Sequence, residues 1–388
     1  MLPFLSQFLR EIWGPFRLLA SHLVLICTGA FLGAILTWWY LPRLWGRLPH
    51  DQGKAFVKDS QRAKGKPTGA GVLFVGFFLL TSLLVLPFSY RMYSILGSLI
   101  FCMLTGYLDD RSAVPWGQLK KGLLDVVSAG WAAAALTCFA PTPIWVPFFK
   151  GAGEGGAYML PGWIAFLLFT ALLWYCINAV NCSDGVDGLA GSLALFALFA
   201  LGVFLYGVVG NINFSTYLLI PHNAEGALFA LIQFVGCGCL CGYLWYNASP
   251  SMVLMGDAGS RFLGLLIGVG CLATGNPFML IVVAPILLLN GGGGMVKIVL
   301  FRCLRKLGFD VRQPLSNVPN PIHPENFATE QERERQIGLV KAFHKVRFPL
   351  HDQCRKNWNW SDSQVLVRFM LLQAIVGPVL IILFLKLR

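Results

Sequence analysis

Long apolar runs separated by short polar segments dominate the pattern of this chain. A membrane-crossing helix needs about 20 mostly apolar residues. Because lipid offers no partner for free backbone groups, runs of this length predict helices and not open sheets. The predicted fold class is therefore an all-α polytopic membrane protein with about ten transmembrane helices. The predicted spans cover residues 18–41, 69–88, 93–108, 122–140, 161–180, 189–209, 227–246, 262–274, 277–300 and 365–385.

Lysine and arginine are distributed unequally between alternate loops. One set of loops, which includes 43–68 and 302–364, carries 22 of them, whereas the opposite set and both termini together carry six. Since cytoplasmic loops hold the excess of basic residues, this set is predicted to be cytoplasmic and both termini to lie outside. The net charge of +12, which in a soluble protein would suggest a nucleic-acid partner, here indicates basic loops on the cytoplasmic face and no nucleic-acid partner.

The composition agrees with a membrane protein. Hydrophobic residues make up 56% of the chain and charged residues 12%, against about 25% charged residues in ordinary soluble domains. A soluble globular enzyme is therefore excluded.

A single integral membrane domain, 1–388, is predicted, with one long polar segment at 302–364. Apolar residues recur within it at a spacing of three: Ile337, Val340 and Phe343. Because charged residues surround them, the pattern predicts an inserted amphipathic helix on the cytoplasmic surface, at about 325–347.

Five of the 18 acidic residues lie at predicted cytoplasmic ends of spans, in three short motifs. They are Asp109 and Asp110 in GYLDDRS, Asp184 and Asp187 in NAVNCSDGVDGLAG, and Asp257 in MGDAGS. The loops are so short that helix packing can bring these carboxylates into one cleft, where their charges would repel one another. A divalent cation relieves that repulsion, and carboxylate oxygens without histidine or cysteine favour Mg²⁺.

Basic side chains flank the same motifs. They are Arg62, Lys64 and Lys66, with Thr68 beside them, before the second span, and Lys120 and Lys121 at the start of the fourth. Carboxylates, a divalent cation and lysines on one membrane face are the components of phosphoryl transfer. The alternative class is a transporter or channel with a carboxylate cation site. That class predicts acidic residues at mid-span, yet only Asp125 lies within a predicted helix, near its start.

Six motifs follow one another in order along nearly the whole chain. They are KPTGAG at 66–71, LDD at 108–110, Lys121 with its following leucines, NAVNCSDGVDGLAG at 178–191, YNASPSMVLMGDAGS at 246–260 and PLHDQCRKNWNWSDSQVLVRF at 349–369. With them the chain resembles the polyprenyl-phosphate N-acetylhexosamine-1-phosphate transferase superfamily. Within that superfamily it is most similar to the phospho-N-acetylmuramoyl-pentapeptide transferases.

The resemblance implies a reaction, a cofactor and a location. Phospho-MurNAc-pentapeptide would pass from UDP-MurNAc-pentapeptide to undecaprenyl phosphate, giving lipid I and UMP, with Mg²⁺ as the cofactor. The protein would be a homodimer in the bacterial inner membrane, with ten spans and both ends outside.

Roles can be carried over at the positions that match the family motifs. Asp257 matches the Mg²⁺ ligand, and Asp109, with Asp110 beside it, matches the carboxylate that engages or deprotonates the lipid phosphate. The other implied active-site residues are Asp184, Lys121 as a phosphate contact, and His351 as the first histidine of the family's histidine motif. The implied uridine- and phosphate-binding residues are Lys66, Thr68, Asn181, Gly185, Asp187 and Asn247.

The histidine motif is also where the chain departs from the family. Asp352 and Gln353 stand where the family has two further histidines, which leaves the sugar specificity open. The alternative enzyme moves GlcNAc-1-phosphate, or another HexNAc-1-phosphate, from its UDP carrier to the same lipid for O-antigen or teichoic acid synthesis.

Overall fold

The computed structural model describes residues 1–51, 64–112, 114, 116–309, 311 and 337–387. These residues form a bundle of helices with one small antiparallel sheet, β1 (Thr142–Ile144) and β2 (Tyr158–Leu160). The helices are α1 (Leu2–Ile12), α2 (His22–Leu44), α3 (Gly71–Val85), α4 (Tyr90–Asp110), α5 (Gln118–Thr137), α6 (Gly162–Ser183), α7 (Leu189–Phe204), α8 (Ile212–Tyr217), α9 (Gly226–Asn247), α10 (Gly256–Ala273), α11 (Met279–Val283), α12 (Pro285–Leu287), α13 (Gly293–Lys306), α14 (Gly338–Lys345), α15 (Leu350–Asn357) and α16 (Asp362–Lys386).

Each predicted span coincides with a helix or with a broken helix, and the all-α membrane class is confirmed. Within the described ranges, eight helical segments are long and apolar enough to cross a membrane. The other two predicted spans correspond to α3, which has 15 residues, and α5, whose first half carries Lys120, Lys121 and Asp125. The charges at the start of α5 lower its hydropathy, and two of them, Lys121 and Asp125, belong to the candidate site.

The clearest difference from the predicted spans lies at α10. The hydrophobic pattern places the eighth span at 262–274, but the helix begins at Gly256. A hydropathy pattern ends a span at charged residues, and Asp257 and Arg261 lie in the first two turns of this helix. Ion pairs inside the bundle compensate those charges, so the helix extends inward past both of them.

The ninth predicted span, 277–300, is interrupted in the structure. The α11 and α12 helices are followed by a π turn, Leu288–Gly292, which leads into α13. Gly291 lies in this turn against α6, where an added Cβ would clash with the carbonyl oxygen of Ala179. A small residue is therefore required for the close approach of the two helices.

The described part of the predicted amphipathic helix, 325–347, contains α14, whereas residues 325–336 lie outside the described residues. Val340 of α14 is buried with Leu304 and Val311 in a small second apolar cluster. The pattern of the sequence does not predict α1 or the β1–β2 hairpin, both of which lie outside the long apolar runs.

The three acidic motifs lie at one end of the bundle, which we call the motif end. Here α4 and α6 end and α10 begins, and α10 packs against both of the others. The opposite end carries the β1–β2 hairpin and is called the hairpin end. The assignment of the two ends to membrane faces, the single domain at 1–388 and the cytoplasmic position of 302–364 stay predictions.

Candidate active site

Lys121 joins two acidic motifs that are far apart in the sequence. Its Nζ forms an ion pair with Oδ2 of Asp109 and lies 3.1 Å from Oδ2 of Asp257. The neighbouring Lys120 points elsewhere, with its Nζ 3.4 Å from the ring centroid of Trp116. Successive residues of a helix differ in direction by about 100°, so only one of the two lysines can enter the site.

Asp257 lies at the centre of the site. Its Oδ1 accepts a hydrogen bond of 3.0 Å from Nδ2 of Asn181, an amide that also donates to Oγ of Ser260 at 3.0 Å. Its Oδ2 faces Lys121 and also lies 3.4 Å from NH2 of Arg261. Two cationic side chains and one amide therefore offset the charge of this partly buried carboxylate and fix its orientation.

Asp109 and Asp110 are adjacent but turn to different partners. Asp109 is 7% exposed, and its Oδ1 accepts a hydrogen bond of 2.8 Å from the backbone N–H of Trp116. Asp110 accepts the backbone N–H groups of Asp257 and Ala258 at 2.9 and 3.0 Å, one on each oxygen. The first N–H groups of a helix lack intrahelical partners, and a carboxylate there also interacts favourably with the helix dipole. Asp110 therefore holds the first turn of α10, which carries Asp257.

The segment before α3 pairs with the segment before α10. The Pro67 carbonyl accepts the N–H of Leu254 at 2.8 Å, and the N–H of Ala70 donates to the Leu254 carbonyl at 3.0 Å. Gly256, at the turn into α10, has a φ of +71°, a conformation that favours glycine. An added Cβ there would also clash with the Asp110 carboxylate. These contacts fix the loop that places Asp257.

A second polar cluster contains three of the predicted substrate-binding residues. Oδ2 of Asp187 accepts the backbone N–H of Ser251 at 3.0 Å and lies 3.9 Å from Nζ of Lys66. Lys66 also donates to Oγ of Ser251 at 3.0 Å. Asn247, buried at the end of α9, accepts the backbone N–H of Gly188 at 2.9 Å. The structure thus brings Lys66, Asp187 and Asn247 together beside the DGVDG turn.

The other predicted residues of this region that the structure describes lie in turns and loops. Asp184 and Gly185 form an exposed turn directly after α6. Thr68 is half-buried, and its backbone N–H donates to the Pro49 carbonyl at 2.8 Å. Lys64 is exposed, and Arg62 lies outside the described residues.

His351 is buried between the turn that follows α6 and the π turn. Its Nδ1 lies 3.1 Å from Oδ1 of Asn290, which also accepts the backbone N–H of His351 at 2.9 Å. The other side of the ring touches Gly185, where an added Cβ would clash with Nε2. His351 is 4% exposed, and burial lowers its pKa to about 4. The imidazole is therefore neutral near pH 7 and acts as a hydrogen-bonding group.

The two residues after His351 do not occupy comparable positions. Asp352 forms an ion pair of 3.0 Å with Lys356 on the same face of α15. Gln353 accepts the backbone N–H of Arg347 at 2.9 Å and an amide hydrogen bond from Asn357 at 3.0 Å. The hydrogen bonds and ion pair of Asp352 and Gln353 thus connect them to residues 347–357, whereas His351 packs against Gly185 of the DGVDG turn.

Acidification is expected to destabilise the protein through His351. Its pKa is about 4 in the fold against 6.5 ordinarily, so the unfolded chain takes up the proton first. The neutral ring contributes about 3 kcal/mol to the free energy of unfolding. This contribution is fully present above pH 6.5 and is lost as the pH falls toward 4. Thermal unfolding in detergent across this range should show the loss, and His351→Gln should remove it. A His351→Gln variant that retains the full pH dependence would contradict the assignment.

The sequence motifs assign no role to two charged residues of the site. Arg261 follows Asp257 by four residues, and Asp125 follows Lys121 by four. That spacing places each pair on one face of its helix, and a charged residue within a span is a candidate functional residue. Both residues carry this signal, but the hydropathy pattern assigns Arg261 to a loop.

Comparison with known proteins assigns the chain to a family. Residues 92–275 match the family described as glycosyl transferase family 4. The chain is 42% identical to the phospho-N-acetylmuramoyl-pentapeptide-transferase of Treponema pallidum (strain Nichols), covering 100% of this chain and 97% of that protein. It is 26% identical to the enzyme of the same name from Campylobacter jejuni (strain RM1221), covering 92% of this chain and 93% of that protein.

The fold and these matches define a polytopic membrane transferase. The 42% identity over the whole chain is specific enough to go further. The chain belongs to the phospho-N-acetylmuramoyl-pentapeptide-transferase family. It is accordingly a multi-pass protein of the bacterial inner membrane.

Proposed function

We propose that this protein transfers phospho-MurNAc-pentapeptide from UDP-MurNAc-pentapeptide to undecaprenyl phosphate, releasing lipid I and UMP. The proposal depends above all on the similarity that extends along the full chain. The convergence of Asp109, Lys121 and Asp257 from three separate helices supports it. In this proposal the motif end is the cytoplasmic face, in agreement with the predicted sidedness.

The donor groups at the motif end suit Mg²⁺. Within the described residues, no group of three or more histidine, cysteine, aspartate or glutamate side chains is arranged to hold a metal ion. Mg²⁺ commonly uses only one or two protein carboxylates, however, and completes its coordination with water and substrate phosphates. Asp257 would hold the ion, with Asp109 beside it, since both already face the Lys121 ammonium. When bound, Mg²⁺ neutralises charge on the diphosphate of the nucleotide.

The remaining task of the site is to join two anionic substrates. An oxygen of the lipid phosphate attacks the phosphorus attached to the sugar, and UMP leaves as the bond to its phosphate breaks. Lys121 supplies a positive charge at the point where the phosphates meet, which lowers their repulsion. Asp109 is held in place by the N–H of Trp116, so that Oδ2 can orient the lipid phosphate or accept its proton.

The cluster of Lys66, Asp187 and Asn247 is the proposed nucleotide side of the site. Lys66 offers a cation for phosphate, and Asp187 an acceptor for the uridine moiety. The neutral ring of His351 supports the DGVDG turn from the other side. A homodimer, as in the family resemblance, remains part of the proposal.

Purified protein should release UMP when given UDP-MurNAc-pentapeptide, undecaprenyl phosphate and Mg²⁺. Chelation with EDTA should stop the release, and added Mg²⁺ should restore it. A parallel reaction with UDP-GlcNAc tests the sugar directly, because Asp352 and Gln353 stand where the family has two further histidines. Turnover of UDP-GlcNAc alone would replace the proposal with the HexNAc-1-phosphate alternative, and solute flux without UMP would favour transport.

A further inference from the structure

A buried arginine connects the candidate active site to a carboxylate deeper in the bundle. NH2 of Arg261 lies 3.4 Å from Oδ2 of Asp257, and NH1 lies 3.3 Å from Oδ1 of Asp125. Arg261 is 2% exposed and Asp125 is 1% exposed. Arg261 therefore cannot reach a substrate, and its effect on the reaction must pass through Asp257.

Asp125 is held in turn by a neighbouring helix. Nδ2 of Asn178 on α6 lies 3.4 Å from Oδ2 of Asp125 and donates to the Trp174 carbonyl at 2.9 Å. Among the residues that the structure describes, Asp125 Oδ1 and Arg261 NH1 have no hydrogen-bond partner. Their ion pair is therefore what compensates these two atoms, and loss of one member leaves a buried charge. The geometry is that of a fixed support, because α5, α6 and α10 each contribute one residue.

We propose that Arg261 is a positioning residue for Asp257 and that Asp125 is its counterion. The inference rests on the proposed function, in which Asp257 binds the divalent cation. Arg261 holds Oδ2 of Asp257 while the amide of Asn181 holds Oδ1, so both oxygens of the carboxylate have fixed positions for the cation.

The same pair sets the charge of the site. Lys121 and Arg261 stand against the carboxylates of Asp109, Asp110, Asp125 and Asp257, so the carboxylates outnumber the cations, and removal of the Asp125 charge lowers the negative charge that attracts a cation. Asp125 thus contributes to cation binding without touching the ion, because it offsets the charge of Arg261.

Three variants separate charge from positioning. Asp125→Asn removes the counterion of Arg261. The positive charge of Arg261 then acts on Asp257 without compensation and should weaken cation binding about tenfold. The double variant Asp125→Asn/Arg261→Met removes both charges together, so no buried charge is left unpaired and cation affinity should stay within about threefold of the unchanged protein. Its kcat should nevertheless fall about tenfold with little change in KM, because Asp257 has lost its support. Arg261→Lys keeps the charge and should retain more of the kcat than the double variant.

Cation affinity is measured with Mn²⁺ as the probe, by electron paramagnetic resonance on the full-length protein without substrates. UMP release supplies kcat and KM, and thermal unfolding reports folding.

The matched control is the ion pair of Arg91 and Glu225, which lie 2.5 Å apart at the hairpin end, about 30 Å along α4 from the site. Arg91→Met/Glu225→Gln should change neither the affinity for Mn²⁺ nor kcat.

Two results would overturn the inference. One is an unchanged kcat in the double variant together with an unchanged Mn²⁺ affinity in Asp125→Asn. The other is an equal loss of kcat in the control pair, which would make the effect one of general stability. Failure of the proposed function looks different: the unchanged protein would then release no UMP from UDP-MurNAc-pentapeptide, while the Mn²⁺ measurement would still decide whether the pair acts on Asp257.

Discussion

Asp257→Asn is expected to reduce Mg²⁺-dependent UMP release by about 10³-fold or more. The substitution removes the negative charge that Asn181, Lys121 and Arg261 surround. Without that charge the site loses its proposed cation ligand and the stabilisation of the reacting phosphates. The fold should persist, because the contact of Asp110 with α10 uses the backbone N–H of Asp257 and not its side chain.

The matched control for this variant is Asp352→Asn. Asp352 forms its ion pair with Lys356 on α15, away from the first turn of α10, so UMP release should stay close to that of the unchanged protein. Size-exclusion chromatography and thermal unfolding in detergent check that both variants are folded. Near-normal turnover in a folded Asp257→Asn protein would remove Asp257 from the mechanism.

Lys121→Met is expected to lower kcat by about 10²- to 10³-fold, the usual loss when one group that stabilises developing charge is removed. Methionine keeps much of the length of the side chain but not its charge. The carboxylates of Asp109 and Asp257 would then face each other across the site without the ammonium between them. The Mg²⁺ dependence of UMP release, measured over a concentration series, separates loss of charge from loss of folding.

Lys120→Met is the natural comparison, since it makes the same change one residue earlier on the same helix. Lys120 lies over the Trp116 ring, so its replacement should alter kcat by less than about threefold. Equal losses in the two variants would mean that general positive charge at the start of α5 matters and that the specific bridge by Lys121 does not.

The sequence was sufficient to predict the spans because apolar runs add up over many residues and lipid imposes helical structure on them. The prediction of the spans is wrong where specific contacts outweigh the summed hydropathy. The early start of α10 depends on ion pairs to Asp257 and Arg261, which no hydropathy pattern contains. The break in the ninth span depends on the backbone approach at Gly291, which involves a distant helix.

The candidate site was predictable in part. The motifs indicated that Asp109, Lys121 and Asp257 would meet, and the structure brings them together. The sequence could not distinguish Asp109 from Asp110, since two adjacent aspartates look alike until the position of α10 is known. It also could not pair Arg261 with Asp125, because their contact spans 136 residues of chain and depends on how α5 packs against α10.

Asp110 accepts hydrogen bonds from the first turn of α10 and thereby fixes the end of α4 to the start of α10. Asp109 contacts Lys121 in the site, and Asp110 holds the start of α10. Two separate contacts therefore constrain the register of α4 at this point. Inserting or deleting one residue just before them would turn both carboxylates by about 100° around the helix. Asp109 would then lose its ion pair with Lys121, and the start of α10 would at the same time lose its hydrogen bonds to Asp110. We therefore expect the length of this segment to tolerate change less well than any single side chain within it.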